Sequence, residues 1–230
     1  MNILAIETST KQFSLAVCQD RKILAQKNIK LNKVLSDSII PAIKKILNQA
    51  KVSLTQLDGL AIGLGPGSFT SLRVGVSTMK GLAWALKLPV AGIPSLDALA
   101  MSVQGNDLKS ICVLMDARRN QVYASFYEKK GGQLKRKSEY FLTAIPNVLK
   151  KIQKETILIG DGIKVFKEEI ERLNRGLLRP EKEWYPKARY VAQLAEVRFQ
   201  KKDFDDPMAL VPLYLYPQDC QVEIKVRSRK

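Results

Sequence analysis

An apolar strand that ends on an acid, followed by a short turn and an alternating second strand, occurs twice in this chain, 109 positions apart. Residues 2–7 form the first apolar strand and close on Glu7; residues 111–115 form its counterpart and close on Asp116. With that shift, Phe13, Leu15 and Val17 fall on Val122, Ala124 and Phe126 with no gap. Short alternating strands recur by chance, but here the acid and the turn length are carried along with the alternation, which favours a duplication.

The remaining periodicities extend the match. In the first half they predict a third strand over 23–29, a helix over 36–50 with Pro41 in its first turn or at a kink, and a strand over 57–64. A Gly-rich turn, a long helix, a short strand over 88–92 and a helix capped by Ser95 and running to Met101 follow. In the second half they predict a strand over 134–142, a helix over 144–153, a strand over 156–159, a Gly160-Asp161-Gly162 turn and a helix to Leu173. An exposed stretch over 174–186, a helix over 188–201 and an extended ending over 207–217 complete it. Two βββαβα units in tandem describe an α/β, duplicated ribonuclease-H-like fold of the actin, Hsp70 and sugar-kinase class. Each of its two lobes carries a mixed sheet with flanking helices. The expected division is 1–103, 104–220 and a basic tail over 221–230.

The run from Gly63 to Leu86 carries the most chemical information. Gly65 and Gly67 supply backbone freedom at a tight turn, and Ser68 and Thr70 are both good helix caps. Such a turn feeding a helix N-terminus is a place for an anion or nucleotide phosphate, with Arg73 one turn on; helix capping alone also accounts for the pattern. In the helix, Ser71, Gly75, Thr78 and Ala85 are small and fall along one face, beside an apolar stripe of Leu72, Val76, Met79, Leu82 and Leu86. Small residues on one face let another helix approach closely. The hairpin turns after Glu7 and Asp116 hold no glycine, so as phosphate clasps they are degenerate; Arg118 and Arg119 follow the second acid.

Composition removes several function classes. The chain has no histidine, which excludes Ser-His-Asp and Cys-His nucleophile pairs and every His-containing metal site. Its three cysteines are far apart and form neither a disulfide framework nor a zinc spacing, so no metal and no cofactor are expected and a reducing cytoplasm suits the chain. No apolar run reaches a membrane span, and the first residues do not read as a signal peptide. The net charge of +16 is spread over both halves, as contact with RNA or a solvated cationic surface would each require.

With these residues in place, the chain resembles the TsaB (YeaZ) family of bacterial tRNA threonylcarbamoyladenosine biosynthesis proteins. The resemblance rests on Ile3 to Ser9, Gly65 to Thr70, Leu72 to Gly75, Gly92 to Leu99 and Asp116 to Arg118, with weaker matches at Ile159 to Gly162 and Val211 to Tyr214. The chain departs from the family pattern at Leu35, where a His is usual, and at Ser71, where a Gly is usual. The resemblance implies a non-catalytic subunit that pairs with a larger catalytic paralogue, TsaD. With that paralogue and the ATPase TsaE, it would support transfer of threonylcarbamoyl from its adenylate to the adenosine beside the anticodon of tRNAs reading A-starting codons. It further implies that two N-terminal helices meet the paralogue, through Ile39, Ile43 and Ile46 on one and Ser71, Gly75, Thr78, Met79 and Leu82 on the other. A homodimer is implied when the paralogue is absent. On that reading Gly75→Trp abolishes pairing and leaves the fold mostly intact. The alternatives are a stand-alone ATPase or small-molecule kinase, with Glu7 and Asp116 holding Mg²⁺, and a glycopeptidase.

Overall fold

The computed structural model describes residues 1–30 and 35–216; the expected basic tail lies outside the described residues. The first lobe opens with β1 (Asn2–Glu7), β2 (Gln12–Gln19) and β3 (Lys22–Lys30), which pair antiparallel in that order. Helix α1 (Leu35–Ala50) leads to β4 (Gly59–Gly63), α2 (Phe69–Leu86), β5 (Val90–Ile93) and α3 (Ser95–Met101). Both β4 and β5 add in parallel, giving the sheet order β3-β2-β1-β4-β5.

The second lobe repeats the plan. It holds β6 (Leu108–Asp116), β7 (Gln121–Lys130), β8 (Gln133–Arg136) and β9 (Phe141–Ala144), then α4 (Ile145–Leu149) and β10 (Ile157–Ile159). Helices α5 (Gly162–Val165) and α6 (Lys167–Leu173), strand β11 (Leu177–Leu178) and helix α7 (Ala188–Gln200) complete it. The sheet order β11-β10-β6-β7-β8 places β6, β7 and β10 where β1, β2 and β4 stand in the first sheet. The duplication and the ribonuclease-H-like class expected from the sequence are both present.

Three expectations need correction. The single third strand over 134–142 is two short strands, β8 and β9, both on β7. Between them Ser138 turns back to β7, where its Oγ accepts from Phe126 N–H, and Tyr140 reaches across to Asp97. Of the two placements expected for Pro41, the first turn does not hold: it sits inside α1, on the solvent side, where a missing donor costs least. Ser95 does not cap α3, because its hydroxyl is committed elsewhere, as described below.

Each lobe's last helix packs on the other lobe's sheet. One face of the first sheet, with Leu4, Ile6, Leu15, Leu60 and Ile62, is covered by α1 and α2. Its other face, with Ile3, Ala5, Ala16, Ala61 and Ala91, is covered by Ala188, Val191, Ala192, Ala195 and Phe199 of α7. Conversely, Leu96, Leu99 and Ala100 of α3 pack with Ile111, Val113 and Tyr127 of the second sheet. The alternation in β1 and β2 explains the pairing: Ala5, Ala16 and Cys18, with Ile3 the one large exception, face α7 and let it lie close to the sheet, and Leu4, Ile6, Phe13, Leu15 and Val17 face α1 and α2. The first lobe therefore draws on residues beyond the expected boundary at 103. Two buried polar contacts fasten α3 to the second lobe. Asp97 accepts from the hydroxyls of Tyr127 and Tyr140, each at 2.8 Å, and the Lys129 ammonium donates to the Met101 and Val103 carbonyls at the end of α3.

After α7 the chain crosses back over the first lobe. Arg198 pairs with Asp205, and Asp205 accepts from Gly92 N–H at 2.7 Å. Leu213 N–H donates to the Leu64 carbonyl, which brings 213–216 to the mouth of the cleft between the lobes.

Candidate functional site: the interlobe cleft and the outer helices

A cleft of about 1100 Å³ lies between the lobes, lined by the β1–β2 turn, the first turn of α2, the β6–β7 turn, the start of α5 and residues 213–216. In the first lobe the Gly-rich turn is pressed against the β1–β2 turn. Ser68 N–H donates to the Ser9 carbonyl at 2.7 Å, and Gly67 lies so close to that carbonyl that a Cβ would collide with it. Gly65 has φ +91°, a conformation that glycine adopts at least cost, and its N–H donates to Ser95 Oγ at 3.0 Å.

Glu7 is sealed beneath this assembly. Its residue is fully buried; Oε1 accepts from Ser9 N–H at 2.7 Å and Oε2 from Ser95 Oγ–H at 2.7 Å. A Cβ on Gly63 would overlap Oε2, so glycine at 63 is what makes room for the carboxylate. Burial raises the pKa of Glu7, against the hydrogen bonds from Ser9 and Ser95 that lower it. This acid ties the β1–β2 turn to the start of α3 and is not a group open to a cation in the cleft.

Asp116 is tied differently. Oδ1 accepts from Arg118 N–H at 2.8 Å and Oδ2 lies 3.3 Å from the exposed Arg118 guanidinium. Behind it, Asp161 Oδ1 accepts from Asp116 N–H at 3.0 Å, and burial pushes the Asp161 carboxyl up to about 6, with the charge of Asp116 adding to the shift. A carboxylate pKa raised on folding gives stability that is complete below its unfolded value of about 4 and is lost as the pH rises through about 6. Asp161→Asn keeps an acceptor for Asp116 N–H and removes the buried charge. It is therefore expected to be more stable than the parent above pH 6, by up to about 3 kcal/mol, with the gap closing towards pH 4. Denaturant unfolding curves at pH 4 and 8 check this.

Arg73 turns away from the Gly-rich turn to two aromatic residues. Its guanidinium stacks 3.8 Å from the Phe69 ring centroid and its Nε donates to Tyr214 Oη at 3.0 Å, which ties α2 to the segment after α7. Of the other loop residues, Ser68 and Thr70 are exposed at the cleft, Gly67 is half-buried in its wall, and Gly65 is buried behind it.

The interface residues expected on the two helices divide sharply. Ile39, Ile43 and Ile46 of α1 and Met79 of α2 are buried in the first lobe's own core. Gly75 is buried as well, facing the β1–β2 turn, where a Cβ would lie 2.5 Å from Thr8 Oγ1. These five cannot meet a partner in this fold; helical periodicity marked the core face, not the contact face. Ser71, Thr78 and Leu82 are half-buried at its margin. The outward face of α2 carries Ser77, Gly81 and Ala85, spaced four apart, with Trp84 beside them at 75% exposure; α1 presents Ile40 at 54%. A Cβ at Gly81 would meet nothing within 4 Å. The spacing of Ser77, Gly81 and Ala85 was visible in the sequence but overlapped a second set of small residues that turn inward.

Known proteins match this chain over most of its length. The family described as "TsaD: tRNA N6-adenosine threonylcarbamoyltransferase" matches residues 26–218. The tRNA threonylcarbamoyladenosine biosynthesis protein TsaB of Bacillus subtilis is 30% identical over 220 residues, 94% of each chain. Its namesake in Buchnera aphidicola is 35% identical over 172 residues, covering 73% of this chain and 81% of the relative. Among solved structures, YeaZ from Pseudomonas aeruginosa has a TM-score of 0.79 at 24% identity, covering 93% of this chain and 99% of that one. The activator of 2-hydroxyisocaproyl-CoA dehydratase from Clostridium difficile has a TM-score of 0.51 at 8% identity, covering 90% and 99%. Both structural matches are matches of fold. Among the described residues no group of three or more His, Cys, Asp or Glu side chains is placed to hold a metal ion, and no helix is long and apolar enough to cross a membrane.

Proposed function

The chain belongs to the TsaB family of tRNA threonylcarbamoyladenosine biosynthesis proteins, and from that premise we propose that it is the non-catalytic partner subunit of a tRNA threonylcarbamoyltransferase complex. The observation that carries the proposal is the state of Glu7. A cleft enzyme of this fold needs an acid free to organise a metal–phosphate complex, and here the first lobe's acid is fully buried, with one oxygen accepting from Ser9 N–H and the other from Ser95 Oγ–H. Asp116, on the second lobe, is held by the guanidinium and N–H of Arg118.

In this reading the catalytic paralogue TsaD docks on the outward faces of α1 and α2, and a second copy of this chain takes its place when TsaD is absent. Gly81 supports that surface. An exposed glycine in mid-helix costs about 1 kcal/mol relative to alanine and gains nothing within the isolated chain. A partner helix crossing at Ser77, Gly81 and Ala85, with Trp84 as an aromatic anchor, accounts for it. The ATPase TsaE and the tRNA complete the assembly, the tRNA favoured by the +16 net charge, in the cytoplasm.

The test is threonylcarbamoyl transfer to tRNA by TsaD and TsaE with and without this chain. Transfer that depends on the chain, while the chain alone neither hydrolyses ATP nor modifies tRNA, is the expected result. Transfer that proceeds equally without it, or ATP turnover by the chain alone, overturns the proposal in favour of a stand-alone ATPase. The docking face is tested by Gly81→Trp, which has room in the folded chain. It is expected to keep the parent melting temperature and weaken co-purification with TsaD by about 2–4 kcal/mol. Undiminished pairing would move the interface elsewhere.

A further inference from the structure

At the end of the second lobe farthest from the cleft, four segments of the chain come together. Strand β6 starts there and runs about 25 Å before it reaches Asp116 at the cleft. The β7–β8 turn is tied to the start of β6: Gly131 N–H donates to Asp107 Oδ1 at 2.9 Å and Gly132 N–H to the Asn106 carbonyl at 2.9 Å. The segment after α4 joins them through Thr156, whose Oγ1 donates to Ser110 Oγ at 3.1 Å. Leu177 N–H donates to the Thr156 carbonyl at 2.8 Å, which brings in the turn before β11. Residues 106–110, 130–133, 150–156 and 174–176 present Lys109, Lys130, Lys150, Lys151, Lys154 and Arg175, all exposed. The same stretches hold two acids, Asp107 and Glu155. Among the described residues none of the six cations is paired with an acid. The adjoining face shows the opposite pattern: Lys164, Lys167, Arg172 and Arg179 each lie 2.8–3.7 Å from a glutamate. Like charges gathered without counter-charges repel one another, and a polyanion relieves that repulsion.

We propose that this end of the second lobe binds the phosphate backbone of a structured RNA without reading its sequence. The neighbours of the six cations favour RNA over other polyanionic surfaces. Exposed amides at Asn106, Gln133, Gln153 and Asn174 stand among the charges, and lysine, arginine and amide side chains are the groups that contact phosphate and sugar. None of the large apolar residues exposed among the described residues falls within the four segments; the nearest in sequence is Leu177, on β11. A protein partner would need an apolar anchor there, a membrane surface an apolar face, and unpaired bases an aromatic platform. Comparable lysines of the first lobe, Lys44 and Lys45, lie on α1, the helix assigned above to partner docking. The proposal rests on the reading of the chain as a subunit of a tRNA-modifying complex for the identity of the RNA, a tRNA stem; the charge and its placement are the chain's own.

The experiment measures binding of an unmodified tRNA transcript to the full chain over a range of salt concentrations, with two triple variants. One carries Lys109→Gln, Lys150→Gln and Lys154→Gln; the other removes the same charge from the exposed face of β3, through Lys22→Gln, Lys27→Gln and Lys30→Gln. The first is expected to weaken binding roughly tenfold or more at about 0.1 M salt and to lower the slope of log affinity against log salt by about 3, one for each lysine. Its melting temperature is expected to be unchanged or higher, since mutual repulsion is relieved. The β3 variant is expected to weaken binding by no more than about threefold, as screening confines each charge to its own surroundings. Equal losses in the two variants, or no loss in the first, overturn the proposal, as does binding to phosphatidylserine vesicles with none to tRNA. Threonylcarbamoyl transfer with TsaD and TsaE separates this proposal from the one above. If transfer depends on the chain but the first variant leaves the KM for tRNA unchanged, the RNA face is wrong and the partner reading stands. If transfer is independent of the chain while the two variants still differ in tRNA binding, the partner reading fails and the RNA face stands.

Discussion

Gly75→Trp is expected to lower the melting temperature by about 10 °C or more and to deplete the soluble folded protein. Gly75 lies on the inward face of α2 against the β1–β2 turn, and even a Cβ would come within 2.5 Å of Thr8 Oγ1. An indole there has to displace either the helix or a turn whose neighbours hold Glu7. Overpacking of this kind costs at least 1–3 kcal/mol, and loss of the buried Glu7 hydrogen bonds adds to it. Together these pass about 4 kcal/mol, out of roughly 5–15 kcal/mol for a whole domain. For a chain of this length each kcal/mol shifts the midpoint by about 2–4 °C. Calorimetry of Gly75→Trp beside Gly81→Trp gives the contrast: the same substitution six residues along, in open space, is expected to leave the midpoint in place. Equal midpoints for the two variants would show that α2 is rotated from the orientation described.

Asp97→Ala is expected to cost about 3 kcal/mol or more and to loosen α3. Tyr127 is 1% exposed and loses its only described acceptor, and Tyr140 loses its own. A buried group left unpaired costs about 1–3 kcal/mol, and here two hydroxyls are stranded. Burial raises the pKa of Asp97, in spite of the two tyrosine hydrogen bonds, so the carboxylate's charge is itself a burden in this site. Asp97→Asn keeps an acceptor without that burden and is expected to recover most of the loss. Hydrogen exchange distinguishes a local effect from a global one: in Asp97→Ala the amides of α3 are expected to lose protection ahead of those of β1 and β4. Uniform loss of protection across both lobes would mean that Asp97 is not a specific fastening of α3.

These two variants mark how far the residues could be read in one dimension. The strands and their duplication were legible because alternation is local and Glu7 and Asp116 end equivalent strands. The helical spacing of the isoleucines in α1 was legible for the same reason, but not which way they face: expected at a partner, Ile39, Ile43 and Ile46 lie in the lobe's own core. The orientation of α2 was not. Leu72, Val76, Met79 and Ala83 turn inward while Phe69 and Trp84 turn outward, and a small residue sits on each side. Gly75 and Gly81 look alike in the sequence, and only the arrival of Thr8 from a distant turn makes one an obligate contact and leaves the other open. Ser95 was misread because one hydroxyl serves equally well as a helix cap or as a long-range donor, and Glu7 lies 88 residues away. The aromatic pairing of Arg73 with Phe69 and Tyr214 likewise depends on a segment 141 residues downstream.

The placement of α7 sets the timing of this protein's birth. Strand β5, the last of the first sheet, ends at Ile93, yet the helix that covers that sheet's small-residue face begins only at Ala188. At about 5–20 residues per second, a ribosome takes roughly 5–20 seconds to make what lies between. For that interval the alanine-lined face of the first sheet waits without its cover. A chain truncated before α7 is therefore expected to leave the first sheet with one open apolar side.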